Sequence, residues 1–213
     1  MAYKETMHFY RTLPDNMVEV RSWTIYDLID DWVLHSPISP GRQIFFYLIS
    51  IAGIAGIMVW VTMQMSPFPS LSIGLYVFIQ VVLLFSTITI HELCHALVIM
   101  HYGGRPRFGA KWMKELGPVV YATTRGFLTV HAYRRIAAAP LIIISLLCVI
   151  GLFFGIGWWL IVPFVFNAIG AGGDLLSLRV LKRYPEHYLI KDTEDGFTAF
   201  KGTVIEHVNF NSN

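Results

Sequence analysis

Four apolar stretches constrain the fold of this chain more than any other feature. They cover about residues 43–65, 71–102, 136–157 and 158–181, and each reaches the roughly 20 apolar residues that a membrane-spanning helix requires. Of the 213 residues, 55% are hydrophobic and only 14% are charged, whereas soluble domains carry about 25% charged residues. We therefore predict an all-α polytopic protein of the cell membrane with four transmembrane helices.

The basic residues predict how these helices are oriented. All 16 Lys and Arg residues lie before the first stretch, in the loop at 103–135 or at the C-terminal end. The short turns after the first and third stretches contain none. Because cytoplasmic segments carry the excess of positive charge, we predict that both termini and the long loop are cytoplasmic. The net charge of +2 gives no reason to expect a nucleic-acid partner.

We divide the chain into a cytoplasmic N-terminal region at 1–42, a membrane core at 43–183 and a cytoplasmic tail at 184–213. In the first region, residues 22–34 predict an amphipathic helix whose Thr24 and Asp27 have the spacing of a capping box. This helix lies either on the membrane or on the protein's own surface. In the core, the loop at 103–135 has stretches rich in β-branched and aromatic residues, separated by turn signals, which predict a small β-hairpin or sheet.

The second apolar stretch contains three ionisable residues, within "TITIHELCHALVIM" at 87–100. His91, Glu92 and His95 form an HExxH motif, which on a helix directs both imidazoles to one ion and leaves the carboxylate beside it as a base. A charged group near the bilayer centre costs about 2.5–3.5 kcal/mol. The first and third stretches contain no Asp, Glu, Lys, Arg or His. We therefore predict a zinc site with His91 and His95 as ligands and Glu92 as the catalytic base.

Asp174 is the candidate for a third ligand, since catalytic zinc commonly has three protein ligands and one open position. It is the only acidic residue in the fourth stretch. His95 lies eight residues before Gly103, and Asp174 lies eight residues before Lys182, where their stretches end. At 1.5 Å per residue, both lie about 12 Å below the same membrane surface. The matching depth predicts that Asp174 completes the metal site.

Three other residues are weaker candidates for this ligand. His101 extends the motif towards HExxHxxGxxH, but Val98 stands where that pattern has the Gly that turns the chain back. A helix that continues through Val98 carries His101 away from His95. Glu115 and His131 lie in the cytoplasmic loop, where we expect them to be solvated or, at most, to hydrogen-bond to a residue that binds the metal.

Asn167 precedes Asp174 by seven residues and therefore lies on nearly the same helix face. We predict a catalytic role for Asn167, as a hydrogen-bond partner of the substrate backbone or of an oxyanion; a structural amide between helices is the alternative. Gly170, Gly172 and Gly173 lie just before Asp174. Small residues allow helices to approach closely, so we expect these glycines to pack against the second helix.

The segments "HELCHA", "RRIAAAP" and Asn-x6-Asp resemble the site-2 protease group of intramembrane zinc metalloproteases and, more closely, the zincin peptidase family DUF3267. The resemblance covers about residues 70–183 and implies a core of transmembrane helices that binds zinc. The ligands and base of that family correspond here to His91, His95, Asp174 and Glu92. Better-known site-2 proteases have a Pro between the Asn and the Asp, and a Gly after the Asp, where this chain has Leu175.

These observations predict a zinc metalloendopeptidase that cleaves a membrane protein or peptide within the bilayer, near the cytoplasmic side. A zinc transporter is one alternative, but it needs ligands across several spans, and two of the four have none. The other alternative is an inactive pseudoprotease that binds membrane segments, against which the intact motif argues. The sequence predicts neither the substrate nor the oligomeric state.

Overall fold

The computed structural model describes residues 9–14, 17–35, 38–113, 117–194 and 196–202. Within these ranges the chain is mostly helical, as predicted. The helices are α1 (Ile25–His35), α2 (Pro40–Met65), α3 (Ile73–His101), α4 (Val130–Phe153), α5 (Gly157–Gly170) and α6 (Gly172–Leu181). The strands are β1 (Phe9–Tyr10), β2 (Met17–Thr24), β3 (Pro106–Met113), β4 (Gly117–Thr124), β5 (Phe127–Thr129), β6 (Leu189–Asp192) and β7 (Gly196–Gly202).

Three helices are long and apolar enough to cross a membrane: α2, α3 and α4. The predicted fourth span is broken into α5 and α6, which meet at Ala171 with a bend of 41°. The described part of the chain thus has three candidate spans, or four if the bent pair is one span. The third span begins at Val130, six residues before the predicted start at 136, because Thr129 caps α4 by accepting the backbone N–H of Ala132.

Helix α3 packs against both α4 and α5, and α2 packs against α5 and α4. Cys94 of α3, Met58 of α2, Cys148 of α4 and Phe164 of α5 meet in one buried cluster. Large apolar side chains remain exposed on the outer faces of these helices, as at Phe85, which is 65% exposed. An apolar exterior around an apolar core is the pattern expected of helices surrounded by lipid.

The predicted hairpin in the loop at 103–135 is present as β3 and β4, which pair antiparallel from Pro106↔Thr124 to Met113↔Gly117. A larger sheet was not predicted. It has five antiparallel strands in the order β1-β5-β6-β7-β2, so that it joins segments from the beginning, middle and end of the chain.

Helix α1 begins at Ile25, three residues later than predicted, because residues 22–24 belong to β2. The predicted capping box is confirmed: the Thr24 N–H donates to Asp27 Oδ2 at 2.7 Å, and the Asp27 N–H donates to Thr24 Oγ1 at 3.2 Å. Of the two predicted positions, α1 packs on the protein itself. Leu28 is 1% exposed in a core beneath the five-stranded sheet.

An ion pair ties α1 to the end of α6. The two terminal nitrogens of the Arg183 guanidinium donate to the two carboxylate oxygens of Asp31, at 2.7 Å each. These bonds lower the pKa of the Asp31 carboxyl below its usual value and raise the pKa of Arg183. The pair holds α1 close to α6, which carries Asp174.

Candidate metal centre

Helix α3 brings the three motif residues together. His91 and His95, one helical turn apart, have ring centroids 5.0 Å from each other. Ligand atoms of His91, Glu92 and His95 all lie within 4.8 Å of one another. Glu92 and His95 are buried. One face of the helix therefore presents two imidazoles and a carboxylate to a single point.

Asp174, in the first turn of α6, faces both imidazoles. Its Oδ2 lies 3.2 Å from His91 Nε2, and its Oδ1 lies 3.5 Å from His95 Nε2. The α5–α6 segment runs antiparallel to α3, so that residues at equal depth become neighbours. The carboxylate thus lies between the two Nε2 atoms, on the side where a shared ion would bind.

The other nitrogen of each imidazole is held by an oxygen. His91 Nδ1 lies 3.0 Å from Asn167 Oδ1, and His95 Nδ1 lies 2.9 Å from the backbone carbonyl oxygen of Ile136. Since both oxygens only accept, each Nδ1 carries the proton and donates it. Each Nε2 is then the atom that faces the Asp174 carboxylate, to which it donates as an N–H or beside which, once deprotonated, it would bind a metal ion. Hydrogen bonds of this kind at Nδ1 orient histidine ligands in metal sites.

Pro140 explains why the Ile136 carbonyl is available. In a regular helix this oxygen accepts the N–H of the residue four positions later, which here is Pro140. Proline has no N–H, so the carbonyl lacks its helical partner and His95 takes that place. Pro140 also helps to hold Asn167, because the Asn167 Nδ2 donates to the Pro140 carbonyl oxygen at 3.4 Å. The Pro in "RRIAAAP" therefore contributes to the geometry of the site.

The site opens into a cavity of about 580 Å³ that is also lined by α1 and β4. The backbone of Ala122 in β4 forms a hydrogen bond with the Glu92 carboxylate. Since β3 pairs with the opposite edge of β4, the Ala122 N–H points away from β3 and into the cavity. Alternate residues share this direction, so the edge of β4 that includes Val120 also faces the site.

A family model described as "Putative zincin peptidase" (DUF3267) matches residues 83–189, half of the 213-residue chain. The chain belongs to this family. No curated protein and no solved structure matches it.

Membership of the zincin family implies zinc, and the donor set of this DUF3267 chain fits that ion. Two ligand atoms that bind zinc tetrahedrally at about 2.0–2.1 Å lie about 3.3 Å apart. The separations from the Asp174 oxygens to the two Nε2 atoms are 3.2 and 3.5 Å. In both imidazoles Nδ1 is held by an oxygen, which leaves Nε2 for the ion. The family implies a metallopeptidase.

Two residues that line this cavity of the DUF3267 protein were not predicted from the sequence: Asp192 and Tyr133. The Tyr133 hydroxyl donates to Asp192 Oδ1 at 2.7 Å. Burial raises the pKa of Asp192 to about 6. Asp192 ends β6, so only the unpredicted five-stranded sheet brings it here. The local pattern "KDTEDGF" contains the residue but gives no sign of its neighbours.

The weaker candidates for the third ligand lie elsewhere. His101 ends α3 and packs against Tyr102, with ring centroids 5.1 Å apart. His131 Nδ1 lies 3.5 Å from a carboxylate oxygen of Glu186, outside the motif cluster. Glu115 lies outside the described residues.

The expectation that the glycines before Asp174 pack closely against the second helix was wrong for all three. A Cβ added at Gly170 or Gly172 would meet no atom within 4 Å, and one at Gly173 would meet Ile25 of α1 at 3.7 Å. Gly170 and Gly172 instead flank the break between α5 and α6. Glycine lowers the cost of such an interruption because it stabilises a helix less than other residues do.

Proposed function

We propose that this chain is an intramembrane zinc metalloprotease of the site-2 type, which hydrolyses peptide bonds of membrane-embedded substrates near the cytoplasmic side. The observation that carries the proposal is the position of Asp174, whose two oxygens face the Nε2 atoms of His91 and His95 at 3.2 and 3.5 Å. We assign these three residues as the zinc ligands and Glu92 as the base. Membership of the DUF3267 family supports the assignment of this chain as a peptidase.

The surface of α3 at the level of the motif supports cleavage within the membrane. Leu93 and Leu97, on the face opposite the site, are 44% and 59% exposed. An exposed leucine face beside a buried ionisable cluster suits a helix with lipid on one side and a polar cavity on the other. The motif lies in the last third of α3, and the basic residues predict that this end is cytoplasmic. We propose cytoplasmic termini on the same grounds.

Zinc held by His91, His95 and Asp174 would supply a Lewis acid that polarises the scissile carbonyl and makes water more acidic. Glu92 accepts the proton that the attacking water loses and then donates it to the amide nitrogen as the C–N bond breaks. Asn167 and the Ile136 carbonyl hold the imidazoles through Nδ1 during these steps. Because Asn167 already contacts His91, we assign it a positioning role; a direct contact with substrate stays a prediction.

The free edge of β4 is the proposed binding site for the substrate backbone. A membrane helix has its backbone groups bonded internally, so it must unwind before its peptide bonds become accessible. The outward N–H and carbonyl of Val120 and the outward carbonyl of Ala122 can pair with such a segment by β-strand addition, while the Ala122 N–H stays bonded to Glu92. The proposed partners are therefore a membrane protein or peptide and the surrounding bilayer, without nucleic acid.

The test compares wild type with Glu92→Gln, in cells and as purified protein. We expect zinc content to persist in the variant, while cleavage of membrane peptides falls by at least about 10²-fold, the lower range for loss of a general base. Cleavage by Glu92→Gln at the wild-type rate would refute the assignment of the base. Zinc uptake into liposomes would favour a transporter, and zinc binding with neither uptake nor cleavage would favour a pseudoprotease.

A further inference from the structure

A second cavity, of about 500 Å³, lies beyond the C-terminal end of α3 and is unrelated to the proposed peptidase chemistry. Four arginines line it: Arg11, Arg105, Arg107 and Arg125. The part of its lining that the structure describes contains neither Asp nor Glu. All four side chains are exposed. The cavity therefore combines four positive charges with access from outside.

The backbone topology brings these arginines together. Pro106 pairs with Thr124, so the preceding Arg105 and the following Arg125 are neighbours across the β3–β4 ladder. Arg107 is two residues after Arg105 and lies on the same face of the hairpin. Tyr10 pairs with Phe127, which brings Arg11 beside the turn that contains Arg125. Pairings in two different sheets thus create one cluster.

Four guanidinium groups around one cavity repel each other unless an anion lies between them. Within the described lining, the C-terminal end of α3 contributes Gly103. A helix C-terminus carries only about half a negative charge, against four positive charges. Each guanidinium offers five N–H donors in a planar fork that matches the oxygens of a phosphate group.

The cavity lies just beyond the end of a candidate span, where we expect phospholipid headgroups. Helix α3, a candidate span, ends at His101, and Gly103 follows with a φ of 83° as the chain turns into the hairpin. Basic residues just beyond the end of a span are placed to meet the phosphates of anionic headgroups.

We propose that this cavity binds a phosphate group, and that an anionic phospholipid of the adjacent leaflet supplies it. The arginines hold the phosphate oxygens, while the acyl chains lie along the exposed apolar surface of α3. The binding is independent of the metal centre, since none of the four arginines lines the cavity that contains Glu92.

The test measures dissociation constants of lipids for the purified full chain in an uncharged detergent, by native mass spectrometry. The probes are dioleoylphosphatidylglycerol, dioleoylphosphatidylcholine, inorganic phosphate as a competitor, and a glutamate-rich peptide. The variant is Arg105→Gln/Arg125→Gln, and the control is Lys182→Gln/Lys201→Gln, which removes the same charge from exposed positions outside the cavity. Thermal unfolding in the same detergent checks that each variant remains folded.

We expect wild type to bind phosphatidylglycerol more tightly than phosphatidylcholine, and the arginine variant to lose about 30-fold in this affinity, from two basic contacts. The lysine control should keep the wild-type preference. Displacement of the lipid by millimolar phosphate would support the phosphate site and identify free phosphate as a second source.

Equal affinity of wild type for the two lipids would overturn the proposal without any variant. Equal losses in the arginine variant and the lysine control would also overturn it, because they would indicate a general effect of net charge. Binding of the glutamate-rich peptide, without binding of either phosphate probe, would assign the cavity to an acidic protein segment instead.

Discussion

Pro140→Ala separates the geometry of the metal centre from the stability of its helix. The alanine supplies the N–H that Pro140 lacks, and this N–H competes with His95 for the Ile136 carbonyl oxygen. In the wild-type structure that oxygen lies 2.9 Å from His95 Nδ1. A proline inside a helix costs about 3 kcal/mol relative to alanine. The lost ring removes about two buried CH₂ groups, worth about 0.8 kcal/mol each. We therefore expect the helix to gain about 1 kcal/mol of stability.

Zinc affinity should change in the opposite direction. Loss of an outer hydrogen bond to a histidine ligand lowers metal affinity by about 10–100-fold. Because a carbonyl oxygen has two lone pairs and can accept a second bond, we expect about tenfold, the lower end of this range. Thermal unfolding and zinc competition with a chromophoric chelator, both on purified protein in detergent, measure the two effects.

Pro163→Ala is the matched control. Pro163 is also a buried proline inside a helix, α5, and is not among the residues that contact the imidazoles. We expect it to gain stability without a change in zinc affinity. Unchanged zinc affinity in a folded Pro140→Ala protein, or an equal loss in Pro163→Ala, would refute the role given to the Ile136 carbonyl.

Three further predictions concern the polar residues of the main cavity. Asp174→Asn should lower zinc affinity by about 10²–10³-fold, which is the share of one ligand in a site worth about 10–16 kcal/mol. Asp192→Asn is the control, because it makes the same charge change in the same cavity. Its zinc affinity, measured by chelator competition, should stay within a few-fold of wild type. Asn167→Ala should weaken zinc binding by about 10-fold and lower the rate of substrate cleavage accordingly; a loss of cleavage at saturating zinc would instead reveal contact with substrate. Burial raises the folded-state pKa of Asp192 from 3.8 to about 6. The protonated carboxyl therefore adds to the free energy of unfolding fully below pH 4, and this stabilisation is lost as the pH rises to about 6. The difference between wild type and Asp192→Asn in thermal unfolding should follow this window and amount to at most about 3 kcal/mol; a flat difference would contradict it.

Local patterns predicted the parts of the site that depend on one helix or on helix depth. HExxH needs only the helical period to bring His91 and His95 together. The neighbourhood of Asp174 followed from equal depths in two antiparallel spans, which holds even though the second of them is broken. Both arguments work because the bilayer restricts spanning segments to helices with a known rise per residue.

The rest of the fold depends on pairings between distant residues, for which local patterns carry no information. Strand β1 has two residues and β5 has three, so neither shows a recognisable alternation. The sheet forms because Phe197, Ile190 and Leu28 of α1 share one buried core. This same sheet brings Asp192 and α1 to the cavity, and no local pattern predicted that either of them lines it.

The break at Ala171 accounts for how one segment contacts both sides of His91. Asn167 and Asp174 contact opposite nitrogens of this ring, at 3.0 and 3.2 Å. In a straight helix, residues seven apart are separated by about 10.5 Å along the axis. Two oxygens hydrogen-bonded across an imidazole are closer, about 8 Å apart, since each bond adds about 3 Å to a ring about 2 Å across. A bend of 41° between α5 and α6 shortens the distance that the two side chains must close. The glycines beside Ala171 therefore serve the site through the shape of the backbone, in place of the close helix packing expected from their size.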